Sequence, residues 1–142
     1  MRIVLVAGVL VLVKNKFIIL QRSATDYYGG WWGLPAGSVH EGESPVHGAI
    51  RELKEETGIV LREEAVMFVK EYYLKRNDAL TLRFFLFKTE LPEQLQVTLC
   101  KEHCAFQWVS SDECAATPKL LDGFDEILWD VFNTRVTINQ KF

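Results

Sequence analysis

The stretch GSVHEGESPVHGAIRELKEETGI, residues 37–59, carries the strongest local signal in the sequence. Ser44 belongs to the residue types that cap helix N-termini, and Pro45 suits the first helical position. Four apolar residues then recur at helical spacing and would face the core: Val46, Ala49, Ile50 and Leu53. Gly58 stands just past the end of this pattern, where glycine commonly terminates a helix. The stretch therefore predicts a helix over residues 45–57.

Three carboxylates occupy one side of this predicted helix. Glu55 and Glu56 follow Glu52 by three and four residues, so the three side chains form an arc beside the apolar face. Like charges at this spacing repel each other by roughly 0.2–0.5 kcal/mol per pair. Two interpretations account for the arrangement: a solvated acidic surface, or a hard divalent cation bound by the carboxylate oxygens. Arg51 lies four residues before Glu55 and can hold that carboxylate in place.

Strand patterns lie on both sides of the helix. The Val- and Ile-rich run 3–13 predicts a buried strand, and residues 17–22 return across a polar turn as the second strand of a hairpin. Residues 31–37 predict a short strand that runs into a turn. Further strands are predicted over residues 65–74, 80–88 and 104–109, followed by a short helical turn after residue 110 and an amphipathic helix containing Phe124, Ile127, Leu128 and Val131. This order predicts an α+β fold, an α/β/α sandwich with a mixed β-sheet between helices. Residues 91–101 and those from 133 onward show no clear pattern.

Length and composition fit one domain over residues 1–142, with 49% hydrophobic and 25% charged residues. The formal net charge of −3 argues against a nucleic-acid polymer as partner, because such partners normally meet a basic surface. Cys100, Cys104 and Cys114 are not spaced as a zinc knuckle or a redox pair, so they are interpreted as reduced thiols. The apolar run 3–13 is too short to span a membrane as a helix. We therefore expect a cytoplasmic protein with no membrane partner.

The spacing of residues 37–59 also points to a family. Glu43 follows Gly37 after five residues, and Arg51-Glu52 follow after seven more. The run matches GX5EX7REUXEEXGU, in which U is a bulky aliphatic residue, at every fixed position. This pattern is the signature of the Nudix hydrolases, and the chain resembles that family. The preceding GWWGLPAG and the strand pair predicted after the box also fit, so the resemblance covers most of the chain.

The resemblance implies the Nudix fold, a divalent cation and roles for particular residues. The implied ligands of Mg²⁺, or else Mn²⁺, are the carboxylates of Glu52, Glu55 and Glu56 and the backbone carbonyl of Ala36. Arg51 would orient Glu52, and the motif residues Gly37, Glu43 and Gly58 would support the site. Glu102 stands six residues before Trp108, where MutT-type members place a further glutamate. It would be a distal metal ligand or the general base, Glu52 being the other candidate for the base; the alternative is an ordinary surface glutamate.

The resemblance also implies contacts with substrate. Arg22 matches an arginine that MutT-type members place near the substrate, and the segment before the last helix, with Asp122, Phe124 and Asp125, matches the one that reads the base edge. Aromatic residues before the box, Tyr27, Tyr28, Trp31 and Trp32, offer faces on which a base can stack, worth roughly 1–3 kcal/mol each. The alternative is that Trp32 belongs to the core and the tyrosines cover a loop.

The most specific expectation is a MutT-like (d)NTP pyrophosphohydrolase, which cleaves a small-molecule nucleotide to a nucleoside monophosphate and pyrophosphate. Two alternatives stay open: a hydrolase of ADP-ribose or a nucleotide sugar, and a non-catalytic nucleotide-binding regulatory module. No proline occurs between Pro45 and Pro92, which weighs against the ADP-ribose group, where one is common about fifteen residues beyond the box. The complete set of box carboxylates weighs against the regulatory module. A homodimer is compatible with the sequence.

Overall fold

Seven strands form one mixed sheet in residues 1–25 and 28–137, which are the residues that this computed structural model describes. The strands are β1 (Arg2–Val13), β2 (Lys16–Arg22), β3 (Trp32–Gly33), β4 (Ala36–Ser38), β5 (Met67–Lys75), β6 (Leu80–Glu90) and β7 (His103–Val109). Their main order is β3-β2-β1-β6-β5, while β4 pairs with β1 and β7 pairs with β2. β1 pairs antiparallel with β2, as the predicted hairpin requires, and parallel with β6. Tyr27 lies outside the described residues.

The helix predicted over residues 45–57 is confirmed at both ends. α1 (Pro45–Thr57) begins with Ser44 as N-cap, whose side chain accepts a hydrogen bond from the backbone N–H of His47 at 3.3 Å. The helix ends at Gly58, whose φ of 78° is left-handed and therefore favours glycine. Two further helices follow, α2 (Ser111–Ala115) and α3 (Phe124–Phe132). None of the helices in the described part of the chain has the length and apolar character needed to cross a membrane.

The two faces of the sheet carry separate hydrophobic clusters, because successive side chains of a strand point to opposite faces. On the α1 face, Ala49 and Leu53 pack with alternate strand residues, among them Val9, Val11, Ile18 and Leu20. On the opposite face, Leu10, Phe17 and Ile19 pack with residues of α2 and α3, among them Cys114, Phe124 and Leu128. The predicted α+β sandwich is therefore confirmed, with helices covering both faces of a mixed sheet.

Two segments differ from the sequence prediction. The strand predicted from residue 65 begins at Met67, since Glu63–Ala65 forms a 3₁₀ turn before it. Residues 91–99 adopt no regular secondary structure, yet they are held by backbone hydrogen bonds. The N–H of Leu91 donates to the carbonyl of Leu12 at 2.8 Å, and the N–H of Thr98 donates to the carbonyl of Thr57 at 2.8 Å. This segment covers the α1 face of the core.

Candidate active site

Arg51 organises the acidic side of α1. Its Nε donates to Glu43 Oε2 at 2.8 Å, and one terminal nitrogen donates to Glu52 Oε1 at 2.9 Å and to Glu55 at 3.1 Å. The other terminal nitrogen donates to the carbonyl of Ser38 at 2.8 Å and to Glu43 Oε1 at 3.1 Å. The guanidinium therefore joins α1 to β4 and to the loop between them. The contacts with Glu52 and Glu55 that the sequence analysis expected are both present.

Glu43 lies in the loop before α1 and is a partner of both Arg51 and the loop backbone. Its carboxylate accepts hydrogen bonds from Arg51 and from the backbone N–H of His40 at 3.0 Å. These two donors, the guanidinium first, lower the pKa of Glu43 to about 2. The loop before α1 is thus closed by a carboxylate that stays ionised at neutral pH.

Glu52 lies against the backbone of Gly37. A Cβ at position 37 would overlap the carboxyl group of Glu52, so only glycine leaves room for this side chain. The Glu52 side chain is 14% exposed. Burial raises its pKa and outweighs the opposing hydrogen bond from Arg51. Gly37 and Arg51 together hold the carboxylate at the edge of β4.

Glu56 is buried more deeply than its position beside the apolar face suggested. It is only 4% exposed, and its Oε1 accepts a hydrogen bond from the backbone N–H of Ala36 at 2.8 Å. Burial, followed by repulsion from Glu52, raises the pKa of Glu56 to about 9. By contrast, the Glu55 side chain is 54% exposed. The three box carboxylates therefore occupy three different environments.

Glu102 lies immediately before β7 and within electrostatic range of this group. Its negative charge contributes to the raised pKa values of both Glu52 and Glu56. Its backbone carbonyl accepts a hydrogen bond from the N–H of Ser23 at 2.8 Å, which ties the segment before β7 to the end of β2. The fold therefore brings a glutamate from a distant part of the sequence towards the helix carboxylates.

The carboxylates expected to bind a metal ion do not converge on one point in this structure. Within residues 1–25 and 28–137, no three His, Cys, Asp or Glu side chains form a group that could hold a metal ion. Glu52 and Glu55 point towards Arg51, and Glu56 points towards Ala36. The Cys100 thiol and Nδ1 of His103 lie 3.8 Å apart, but they also belong to no such group.

A cleft of about 410 Å³ opens beside this acidic cluster. One end is formed by β4, with Ala36, Gly37 and Ser38, and the other end by the turn between β5 and β6. Its walls are mainly apolar and include Val6, Leu20, Leu74, Leu82, Phe84, Leu121, Phe124 and Ile127. An apolar cleft with a few polar groups is the usual form of a small-molecule site.

Of the residues expected to contact substrate, four line this cleft: Arg22, Tyr28, Asp122 and Phe124. Trp31, Trp32 and Asp125 do not line it. Trp32 packs against the hydrophobic cluster beneath α3, in agreement with the core alternative, and Asp125 is exposed in the first turn of α3. The aromatic residues that line the cleft are Tyr28, Phe84 and Phe124, and Trp32 is not among them.

The sequence analysis missed four polar residues of the cleft, Ser38, Arg76, Asn77 and His103. Arg76 and Asn77 lie in the turn between β5 and β6, to which the sequence analysis gave no functional role. His103 is buried at the start of β7 and stands opposite Arg22 in the pairing with β2. The alternation of β7 could have indicated an inward-facing His103, but nothing in the sequence indicates which way a turn residue points.

Comparisons with known proteins find related sequences and a shared fold. A family model described as NUDIX domain matches residues 2–129. An 8-oxo-dGTP diphosphatase from Proteus vulgaris is 35% identical over 92 residues, which cover 62% of this chain and 80% of that protein. An asymmetrical bis(5'-nucleosyl)-tetraphosphatase from Rattus norvegicus is 32% identical over 101 residues, covering 69% of this chain and 66% of that protein. The crystal structure of a MutT protein from Methanosarcina mazei Go1 superposes with a TM-score of 0.79, at 24% identity, over 94% of this chain and 96% of that one. At this identity the superposition shows a shared fold.

Proposed function

This chain belongs to the NUDIX domain family, a family of pyrophosphohydrolases that act on nucleoside diphosphate derivatives, and we propose that it is a MutT-like nucleoside triphosphate pyrophosphohydrolase. It would release a nucleoside monophosphate and pyrophosphate, with Mg²⁺ as cofactor and Mn²⁺ as a substitute. One observation carries this proposal. The acidic cluster on α1 reaches, through β4, the end of an apolar cleft that is large enough for a nucleoside. We also propose that it acts on free nucleotides in the cytoplasm.

The donor set suits a hard divalent cation. In their ionised forms Glu52 and Glu56 repel each other, and the charge of Glu102 adds to this repulsion, which a bound cation would offset. The donors are oxygen atoms, as Mg²⁺ requires. Glu52, Glu56, Glu55, Glu102 and the carbonyl of Ala36 are the groups that would hold it. When bound, the cation supplies neutralisation of phosphate charge and a lowered pKa of water.

The protein residues have separable tasks in this proposal. Glu52, or alternatively Glu102, accepts the proton from the attacking water. Arg51 fixes the position of the Glu52 carboxylate through their 2.9 Å hydrogen bond. Arg22 lies at the cleft wall, where its positive charge can meet a phosphate oxygen. Phe124 and Tyr28, which also line the cleft, would contact the base or sugar.

A second candidate is asymmetric cleavage of a dinucleoside tetraphosphate. The similarity to the rat bis(5'-nucleosyl)-tetraphosphatase favours it, with 32% identity over 101 residues. The same carboxylates would serve, because the bond cleaved is again a phosphoanhydride. The two candidate reactions would differ in how much of the substrate remains outside the cleft.

A hydrolysis screen tests these proposals. Canonical and oxidised (d)NTPs, dinucleoside polyphosphates, ADP-ribose and nucleotide sugars would each be incubated with Mg²⁺ or Mn²⁺, and the products separated by chromatography. Glu56→Gln is the variant expected to be inactive, and its side chain keeps an oxygen that can accept a hydrogen bond from the N–H of Ala36. The matched control is Glu64→Gln, at an exposed position.

We expect a triphosphate to yield monophosphate and pyrophosphate, with activity lost in Glu56→Gln and retained in Glu64→Gln. Preferred cleavage of a dinucleoside tetraphosphate would favour the second candidate. Preferred cleavage of ADP-ribose or a nucleotide sugar would overturn both substrate proposals. No turnover of any substrate, with nucleotide still bound, would favour a non-catalytic binding module.

A further inference from the structure

β5 is the last strand at one end of the sheet, and one of its two edges is open. Its backbone pairs with β6 on one side, and no strand within residues 1–25 and 28–137 pairs with the other side. The N–H and C=O groups along an open edge can pair with a strand of another chain. The backbone of β5 is therefore prepared for a further strand.

β5 also exposes several large apolar side chains. Met67 is 62% exposed, Phe68 54% and Tyr73 62%. Tyr72 and Leu74 are buried in the cluster beneath α3, so the alternation of the strand places Tyr73 on the other face, where α1 lies. Isolated exposed apolar residues are ordinary, but three on one edge strand indicate a contact surface.

The second half of β5 is the part that is regular enough to pair. The register with β6 shifts between Phe68 and Lys70, and such a bulge bends a strand and interrupts its edge. From Lys70 to Lys75, successive residues pair one to one with residues of β6. A second strand would therefore lie along this stretch.

The charges of this stretch are complementary to a second copy of themselves. Glu71 and Lys75 lie two residues to either side of Tyr73 and share its face. If two copies pair antiparallel about a two-fold axis at Tyr73, Glu71 of each strand stands opposite Lys75 of the other. The two Tyr73 side chains then meet, and both kinds of cross-strand pair are stabilising. An axis at Glu71 would instead oppose two like charges, and an axis at Tyr72 would bring no opposite charges together.

Both charged groups can accept a further partner. Lys75 Nζ lies 3.5 Å from Asp78, whose side chain is fully exposed, so this ion pair contributes little. Glu71 Oε2 accepts from Arg83 at 3.0 Å, and a carboxylate has acceptor sites for more than one donor. An ammonium group from a second copy can thus join Glu71 without displacing Arg83.

We propose that β5 is the interaction surface for a second copy of this chain, which adds its own β5 in antiparallel orientation with the two-fold axis at Tyr73. The two sheets become one continuous sheet. Each copy uses its open β5 edge, so the assembly closes at a dimer. The contact is a single short ladder with aromatic residues beside it, and it is therefore small and reversible. The proposal does not depend on the proposed hydrolase activity.

A cysteine on the two-fold axis tests the register directly. Tyr73→Cys is made in a chain with Cys100→Ser and Cys104→Ser, because these two thiols are not buried. Directly opposed Cβ atoms lie about 4.5–5.5 Å apart in an antiparallel pair, within reach of a short bifunctional thiol reagent. The matched control is Met67→Cys, which is also exposed on β5 but lies twelve positions from its copy, or roughly 40 Å. We expect Tyr73→Cys to give a covalent dimer and Met67→Cys to remain monomeric on a denaturing gel.

Charge exchange tests the same register without a cross-link. Sedimentation of the full chain is measured from about 1 µM to about 1 mM, the range expected for a small interface. The variants are Glu71→Lys, Lys75→Glu and the two combined, with Lys54→Glu on the exposed side of α1 as the control. Lys75→Glu keeps the contact between Glu71 and Arg83, so it decides the question by itself if Glu71→Lys does not fold.

We expect the wild type to dimerise within this range. Each single exchange opposes like charges and should weaken association by about tenfold or more, whereas the combined variant should recover most of it and Lys54→Glu should match the wild type. A wild type that stays monomeric at about 1 mM would overturn the proposal. A dimer that Lys75→Glu leaves unchanged, or equal cross-linking of Tyr73→Cys and Met67→Cys, would also overturn it. Dimerisation without hydrolysis of any nucleotide would uphold this proposal and overturn the proposed function.

Discussion

Gly37 shows how closely one residue controls the position of the Glu52 carboxylate. The carboxyl group occupies the volume that a Cβ at position 37 would need, and Arg51 holds it there from the other side. A methyl group at this point would displace Glu52 by a distance comparable with a bond length. Misplacement of a reacting group by about 1 Å can cost roughly 100-fold in rate.

We therefore expect Gly37→Ala to lower kcat/KM by about 100-fold or more while the sheet and helices remain folded. Activity and the circular dichroism spectrum would be measured together. Gly42→Ala is the matched control, because Gly42 has a positive φ of 79° but open space around its Cα. It should lose some stability and keep its activity. A Gly37→Ala variant with normal kcat/KM would show that the exact position of Glu52 is unimportant.

Glu43 provides a pH-dependent contribution to stability. Its folded pKa of about 2 lies below the ordinary value of 4.5, so folding favours its ionised form. The stabilisation is complete above about pH 4.5 and is lost as the pH falls towards 2. Allowing for partial solvent screening, we expect about 1–2 kcal/mol.

The measurement is the difference in unfolding free energy between the wild type and Glu43→Gln as a function of pH. This difference should be constant near neutral pH and shrink between pH 4.5 and 2, where the wild-type carboxylate becomes protonated. A difference that does not depend on pH would mean that the Arg51 contact, not the ionisation of Glu43, is what the variant removes.

The burial of Glu56 could be predicted from sequence more sharply than it was. Glu56 lies three residues after Leu53 and seven after Ala49, so it continues the buried face of the helix. The same helical spacing places Glu55 on the exposed side of the helix. The spacing of residues within the helix cannot predict the hydrogen bond from the backbone N–H of Ala36 to Glu56. Ala36 belongs to a strand that precedes the helix by several residues.

At the scale of elements, α1 is the part of the fold that local chemistry determines most fully. Its start, its apolar face and its end each follow from residue types with known helical preferences. β5 was less predictable, because the 3₁₀ turn Glu63–Ala65 ends in an alanine that suits several conformations. The segment 91–99 was not predictable at all, since its order comes from contacts with Leu12 and Thr57 that are distant in sequence.

The cap of α1 is expected to contribute to stability independently of the active site. Ser44→Ala removes the side-chain acceptor for the N–H of His47 and should lower the unfolding free energy by about 1 kcal/mol, as measured in urea. Ser44→Asn retains an acceptor and should recover most of the loss. If both variants lose the same amount, the hydroxyl has a role other than capping.

At the scale of the whole molecule, the site joins the two faces of the sheet. The carboxylates belong to α1, on one face, whereas the cleft walls belong largely to the cluster beneath α3, on the other. β4 lies between them, since Ala36 both lines the cleft and donates to Glu56. A metal–nucleotide complex that spans this boundary would contact both halves of the core, so binding should be visible in global stability.

Divalent cations are therefore expected to raise the melting temperature. At a concentration about 100 times the dissociation constant, binding to the folded state adds about 2.7 kcal/mol, which for a chain of this size is a shift of roughly 5–15 °C. Calorimetry with Mg²⁺ and with Mn²⁺ measures it. The shift should be lost in Glu52→Gln and Glu56→Gln and kept in Glu64→Gln. Because Glu56 is buried beside another negative charge, Glu56→Gln should melt no lower than the wild type without metal. A full metal-dependent shift in both variants would show that the cation binds elsewhere and that the repulsion between these carboxylates has another origin.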